Sequence, residues 1–111
     1  MSDCLFCKIV AGEIPASVVY QDELVLAFRD ISPEAPTHVL VVPKDHFDNV
    51  EELTTEIELA GYLLSVAAQI AKTEAPDGHR VVFNTGDQGG QTVHHVHAHV
   101  LGGRQLQWPP G

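Results

Sequence analysis

Val93-His94-His95-Val96-His97-Ala98-His99-Val100-Leu101, positions 93–101, alternates imidazole and apolar side chains from 95 to 100. Successive side chains of a strand point to opposite faces. A strand here therefore puts His95, His97 and His99 on one face, and Val96, Ala98 and Val100 on the other. The apolar face belongs to a core, and three imidazoles line up in a row on the other. At a rise of about 3.3 Å per residue, neighbouring imidazoles start roughly 6.6 Å apart and the outer pair about 13 Å apart. An adjacent pair can share one small group; all three cannot easily share one ion. Four of the chain's 7 histidines fall within these few positions.

Outward from this strand, the other elements follow from period and punctuation. Val18-Val19-Tyr20 and Leu24-Val25-Leu26-Ala27-Phe28 flank the polar Gln21-Asp22-Glu23, which predicts a hairpin closed by the loop Asp30-Ile31-Ser32-Pro33. His38-Val39-Leu40-Val41-Val42, stopped by Pro43, reads as a third strand covered on both faces. Arg80-Val81-Val82-Phe83 is a fourth and 93–101 the fifth. Between the third and fourth, Ile57, Ala60, Leu64, Ala67 and Ala71 recur at steps of three and four, with Leu63, Val66 and Ile70 widening the stripe. This predicts one long helix over 55–75, opened by a Thr55/Glu58 capping box and ended by Pro76-Asp77-Gly78. Residues 4–11, ahead of Gly12 and Pro15, predict a short N-terminal helix. Five strands with the long helix inserted once do not alternate as βαβ units. The expected class is α+β, a five-stranded mainly antiparallel sheet with one long and one short helix, with residues 1–111 forming one domain.

Composition excludes several functions. Asp and Glu total 15 against 6 Lys and Arg, and a net charge of −9 repels nucleic-acid polymers and anionic membranes. With 44% hydrophobic and 19% charged residues the chain is globular, without low-complexity sequence or repeats. No apolar run approaches the roughly 18–20 residues that span a bilayer, and Met1-Ser2-Asp3-Cys4 lacks the basic start of a secretory signal, so a cytoplasmic protein is expected. The acidic stretch 48–58 reads as a solvated face.

The histidine row admits a metal site, a polar sheet face, or catalysis in which one unprotonated imidazole attacks an electrophile while its neighbour donates a proton or hydrogen bond. The preceding loop, Asn84-Thr85-Gly86-Asp87-Gln88-Gly89-Gly90-Gln91-Thr92, offers glycine backbone and neutral hydrogen-bonding groups to an anion. No Lys or Arg lies between Asn84 and His99, which favours a single phosphate over a polyphosphate. Cys4 and Cys7 offer one local bridge, half of a metal site, or two free thiols; a redox motif of the kind that follows a strand in a βαβ unit is disfavoured. His38 and His79 read as ordinary structural or surface histidines.

His95-Val96-His97-Ala98-His99-Val100-Leu101 matches the His-φ-His-φ-His-φ-φ signature of the histidine-triad (HIT) superfamily. Asp30-Ile31-Ser32-Pro33, Pro36-Thr37-His38, Val42-Pro43-Lys44, Gly89-Gly90-Gln91-Thr92-Val93, Leu101-Gly102-Gly103-Arg104 and Trp108-Pro109-Pro110-Gly111 resemble its Hint branch, histidine-triad nucleotide-binding proteins, over nearly the whole chain from Cys4. The resemblance implies a homodimeric hydrolase that cleaves purine nucleoside 5′-phosphoramidates of the adenosine 5′-monophosphoramidate type through a nucleotidyl-histidine intermediate. It makes His97 the nucleophile, places His99 on the phosphate and departing group, sets Thr92 near the leaving group, and lets His95 orient its neighbour. Asp30 and Ile31 would hold the ribose, Asn84 with the Gly90-Gln91 backbone would surround the phosphate, and Trp108 would reach toward the partner subunit's site. Catalysis needs no cofactor. Cys4-Leu5-Phe6-Cys7 resembles the Cys-x-x-Cys of bacterial members, which implies a structural zinc held by Cys4, Cys7, His46 and His95. His94 stands where an aromatic residue is usual, an expected change in packing. The competing functions are dinucleoside polyphosphate hydrolysis, nucleotidyl transfer, and a non-catalytic nucleotide-binding scaffold.

Overall fold

The run Thr37–Pro43, buried at every position, is the middle strand of the molecule. Residues 3–111 are described in this computed structural model. They form α1 (Leu5–Val10), β1 (Val18–Gln21), β2 (Val25–Arg29), β3 (Thr37–Pro43), α2 (Val50–Leu53), α3 (Ile57–Glu74), β4 (His79–Val82) and β5 (Ala98–Gly102). The strands make one sheet in the order β1-β2-β3-β5-β4, with every neighbouring pair antiparallel. This is the expected α+β architecture.

Strand alternation sorts the residues onto two faces. Val25, Ala27, Val39, Val41, Ala98 and Val100 face α3 and meet its Leu63, Ala67 and Ala71, a cluster of side chains withdrawn from water. At roughly 1.5–3 kcal/mol for each fully buried Val or Leu, this layer is the main source of stability. Leu26, Phe28, Leu40 and Val42 face the other way, where α1 covers them with Phe6. Because α1 is only 6 residues long, part of that second face stays free of helix, and the imidazoles stand there.

Several boundaries differ from expectation, each for a local reason. The long helix begins at Ile57, and the Thr55/Glu58 capping box does not form, since the Thr55 hydroxyl donates to the Glu52 carbonyl at 2.7 Å. A short helix, α2, precedes it instead, capped by Asn49 and anchored by Leu53. The buried stripe of α3 is Leu63, Val66, Ala67, Ile70 and Ala71, whereas Ile57 and Leu64 are exposed. β4 starts one residue early, at His79, and stops at Val82.

The largest difference is in the fifth strand. Only its second half, Ala98–Gly102, joins the ladder; residues 93–95 bend, and 96–97 lie outside the strand. The register that pairs Val41 with Ala98 would set Pro43 opposite Val96. Pro43 has no N–H to donate, and its carbonyl accepts from His95 Nε2 at 2.8 Å. The Val96 N–H donates to the Phe47 carbonyl at 2.7 Å instead. The ladder therefore ends where the histidines begin, although Val96 still enters the core. Gly102 closes the strand where it meets the end of α3: a Cβ there would lie 2.4 Å from that of Ala75.

Candidate active site

His97 and His99 stand beside each other with ring centroids 4.8 Å apart. Backbone donors and acceptors fix which nitrogen of each ring carries its proton. His97 Nδ1 lies 2.8 Å from the His95 carbonyl, which can only accept, so Nδ1 carries the hydrogen and the Nε2 of the neutral ring presents a lone pair. The Glu34 N–H donates to His38 Nδ1 at 3.0 Å, which places the His38 hydrogen on Nε2. That Nε2 donates to His99 Nδ1 at 3.0 Å and lies 3.4 Å from Asp30 Oδ2. His99 therefore keeps its own hydrogen on Nε2. The pair offers one nucleophilic nitrogen and one N–H donor side by side.

Burial favours the neutral form of both rings. It pulls His97 below the ordinary histidine value, against the opposing pull of its bond to the His95 carbonyl and of the Asp30 charge. Burial and the neighbouring His97 and His38 lower His99 to about 4. Phe6 of α1 contributes to this desolvation, its ring meeting that of His97 edge-on at 5.0 Å.

His38 was expected to be an ordinary histidine, yet it is buried inside the site. Register brings it there. β3 and β5 pair His38 with Leu101 and Leu40 with His99, so His38 and His99 are diagonal neighbours on one face, and Asp30 follows directly from β2. Asp30, His38 and His99 are close enough to suggest a metal site. The His38 tautomer argues against one, because its Nε2 hydrogen occupies the position a metal would need. His38→Ala is expected to lower kcat by roughly 10- to 100-fold, the equivalent of a lost buried hydrogen bond of about 1–3 kcal/mol, with KM little changed. Steady-state kinetics check this, with partial rescue by His38→Gln; a raised KM with kcat intact would instead assign His38 a purely structural role.

The glycine loop is held by its own residues. The buried Gln91 side chain donates to the Asp48 carbonyl at 2.6 Å and to the Val93 carbonyl at 3.1 Å, and accepts from the Gly86 N–H at 3.1 Å. Asn84 Nδ2 donates to the Gly89 carbonyl at 2.7 Å. The Gly90 and Gln91 N–H groups donate to the Asp87 and Gly86 carbonyls, both at 3.0 Å. Asn84, Gly90 and Gln91 thus shape the loop, and Thr92 is exposed at its end. Ile31 is 98% exposed and Trp108 81%, so within one chain neither is packed on the histidines. His94 is exposed; His79 donates to the Ala75 carbonyl at 3.1 Å, a local tie. A cavity of about 510 Å³ lies away from the histidines, between Glu74, Gly78, Arg80 and Arg104. It holds no pair of neighbouring imidazoles like His97 and His99.

His95, fully buried, turns its ring toward the cysteines. Its Nε2–H donates to Pro43, leaving Nδ1 at 3.4 Å from Cys4 Sγ and 3.5 Å from Cys7 Sγ. His46 is arranged alike: Nε2 donates to Asp48 Oδ1 at 2.8 Å and Nδ1 lies 3.3 Å from Cys7 Sγ. With Zn–S of about 2.3 Å and Zn–N of about 2.0–2.1 Å, a tetrahedral site separates sulfur from nitrogen by about 3.5 Å. The four ligand atoms converge within 4.8 Å, and each histidine is oriented by an acceptor on its far nitrogen. The residues fit zinc. Burial and Cys4 push the Cys7 thiol up to about 11, which a ligating cation would reverse.

An all-antiparallel sheet with His95, His97 and His99 alternating into the start of its fifth strand is the arrangement of a histidine-triad protein. The HIT domain pattern matches residues 11–106, and the chain belongs to the HIT family. It is 50% identical over 107 residues to the purine nucleoside phosphoramidase of Escherichia coli K12, covering 94% of this chain and 90% of that one. It is 54% identical over 114 residues to the 14 kDa zinc-binding protein of Zea mays, covering 99% and 89% of the two chains. A solved HIT family hydrolase from Legionella pneumophila superposes with a TM-score of 0.94 at 50% identity, covering 98% of this chain and all of that one. The chain is an enzyme, a hydrolase. No helix among the described residues is long and apolar enough to cross a membrane.

Proposed function

We propose that the protein hydrolyses the P–N bond of purine nucleoside 5′-phosphoramidates, of the adenosine 5′-monophosphoramidate type, through a covalent nucleotidyl-His97 intermediate. The observation that carries this is the tautomer of His97, whose Nε2 lone pair is set by the 2.8 Å bond from Nδ1 to the His95 carbonyl. The relative from E. coli, named a purine nucleoside phosphoramidase, supports the substrate class.

His97 Nε2 attacks phosphorus and forms the P–N bond to the enzyme as the bond to the substrate nitrogen breaks. The anionic phosphate raises the proton affinity of His99, which in the free protein is held near 4 by burial and its neighbours. A second proton, taken up from solvent as substrate binds, makes His99 an imidazolium, which delivers its Nε2 proton to the departing amine and is left neutral beside His38 and Asp30. In the second step His99 takes a proton from water, the resulting hydroxide oxygen bonds to phosphorus, and the nucleotide leaves His97. Splitting one hard displacement in two is the advantage of the covalent route. Asp30 and Ile31 hold the ribose, Asn84, Gly90 and Gln91 form the wall around the phosphate, and Thr92 lies by the leaving group. The exposed Trp108 reaches the site of a second copy in a cytoplasmic homodimer. Cys4, Cys7, His46 and His95 hold a structural zinc, which supplies rigidity and no catalytic step.

The test is a substrate panel. An adenosine phosphoramidate of an aryl or alkyl amine is expected to turn over far faster than a diadenosine polyphosphate; preference for the polyphosphate, or AMP binding with no turnover of either, would replace this function with one of its competitors.

A further inference from the structure

Cys4 is the N-cap of α1 and Cys7 lies in its first turn, where the Cys7 N–H donates to Cys4 Sγ at 3.2 Å. Both sulfurs reach the same nitrogen of His95. Residues three apart on a helical turn are close neighbours, within the Cα span of about 4.4–6.8 Å that a disulfide bridges. Both thiols are half-buried and open to a small oxidant.

What lies next to these sulfurs gives a bridge its consequence. Between the two cysteines α1 carries Phe6, whose ring meets those of His97 at 5.0 Å and His95 at 6.0 Å. The segment 93–97 has left the sheet ladder, and the Val96 bond to Phe47 is its single main-chain tie to a distant part of the chain among the described residues. The position of His97 therefore leans on the clamped side chain of His95 and on Phe6. Both supports run through the start of α1.

We infer that Cys4 and Cys7 are an oxidation site, closed to a disulfide by a hydroperoxide, and that closure loosens His95 and misplaces His97. One sulfur attacks the peroxide, breaking its O–O bond to give a sulfenic acid and an alcohol, or water from hydrogen peroxide. The second sulfur displaces the sulfenic oxygen as water, so two thiols lose two electrons and the peroxide gains them. Starting from two metal-bound thiolates, solvent supplies two protons and the ion is set free. The same two sulfurs thus alternate between clamping His95 and bonding each other.

The activity readout rests on the phosphoramidate function; the thiol, mass and metal readouts do not. Zinc-loaded, untagged protein is treated with hydrogen peroxide, then assayed for free thiols, intact mass, zinc release to a chromogenic chelator, and turnover. The expected result is loss of both thiols within one chain, a mass lower by two hydrogens, and release of one zinc. With it kcat falls about tenfold at little-changed KM, as for other lost supports of a site, and dithiothreitol with zinc restores it. Thiols that persist, a gain of oxygen mass alone, links between chains, or an oxidised protein with full kcat would each overturn the inference. If the reduced protein fails to cleave phosphoramidates, the function falls, while thiols, mass and zinc still decide whether the bridge forms.

Discussion

His97→Asn is expected to reduce phosphoramidate turnover by about 10⁴-fold or more, the scale on which loss of a covalent nucleophile is felt in hydrolases. Asparagine is the informative replacement because its amide N–H can still donate to the His95 carbonyl, which keeps the bent segment tied while removing the lone pair that faces the cleft. AMP binding should survive within a few fold, since the residues proposed to hold the phosphate and the ribose are unchanged. In the wild type, acid-sparing digestion and mass spectrometry of protein quenched during turnover should find the nucleotidyl group on the peptide carrying His97, and the variant should carry none. An adduct on another residue, or turnover near the wild-type rate in the variant, removes His97 from the nucleophile's role. His99→Asn provides the contrast: it leaves the attacking nitrogen in place but removes the proton for the departing amine. Its loss should therefore shrink as the leaving amine becomes more acidic, a trend that His97→Asn cannot show.

What was legible in the sequence follows from how local each feature is. The two faces of the histidine row could be read because Val96, Ala98 and Val100 alternate with the imidazoles, and those three are buried in the layer against α3. Alternation survived even where the strand itself did not. The end of the ladder was hidden because it depends on Pro43 standing opposite Val96, a register set more than fifty positions apart in the chain. His38 was missed for the same reason. Its partner His99 is a diagonal neighbour across two strands, and no spacing within one segment announces that; the usable signal was that His38 begins a run in which Val39 and Val41 take the core face. The capping box failed because Thr55 finds a nearer partner in the carbonyl of Glu52, inside a helix that the acidic stretch concealed. Cys4, Cys7, His46 and His95 came together through resemblance alone, since nothing in their spacing relates residues 4 and 95. Their oriented ring nitrogens are visible only once the chain is folded.

Removal of zinc is expected to lower the melting temperature steeply. An ion that binds only the folded chain adds about 4 kcal/mol when present at a thousand times its dissociation constant. For a domain of this size each kcal/mol is worth roughly 4–8 °C, so the loss should be about 15–30 °C. The effect is large because the four ligands tie three separate parts of the chain, namely the start of α1, the loop after β3 and the segment before β5. Protein purified without chelator or affinity tag should contain close to one zinc per chain, and a melting scan before and after strong chelation measures the shift. Cys4→Ser/Cys7→Ser should melt near the chelated wild type and show no response to added zinc. A metal content near zero, or melting unmoved by chelation, would leave the cluster as two hydrogen-bonded thiol–imidazole pairs. The main hydrophobic layer lies on the opposite face of the sheet, against α3, and needs none of these ligands. The stripped protein should therefore keep its sheet while the segment carrying His97 loses order first, which amide hydrogen exchange at 93–97 against 39–42 would resolve.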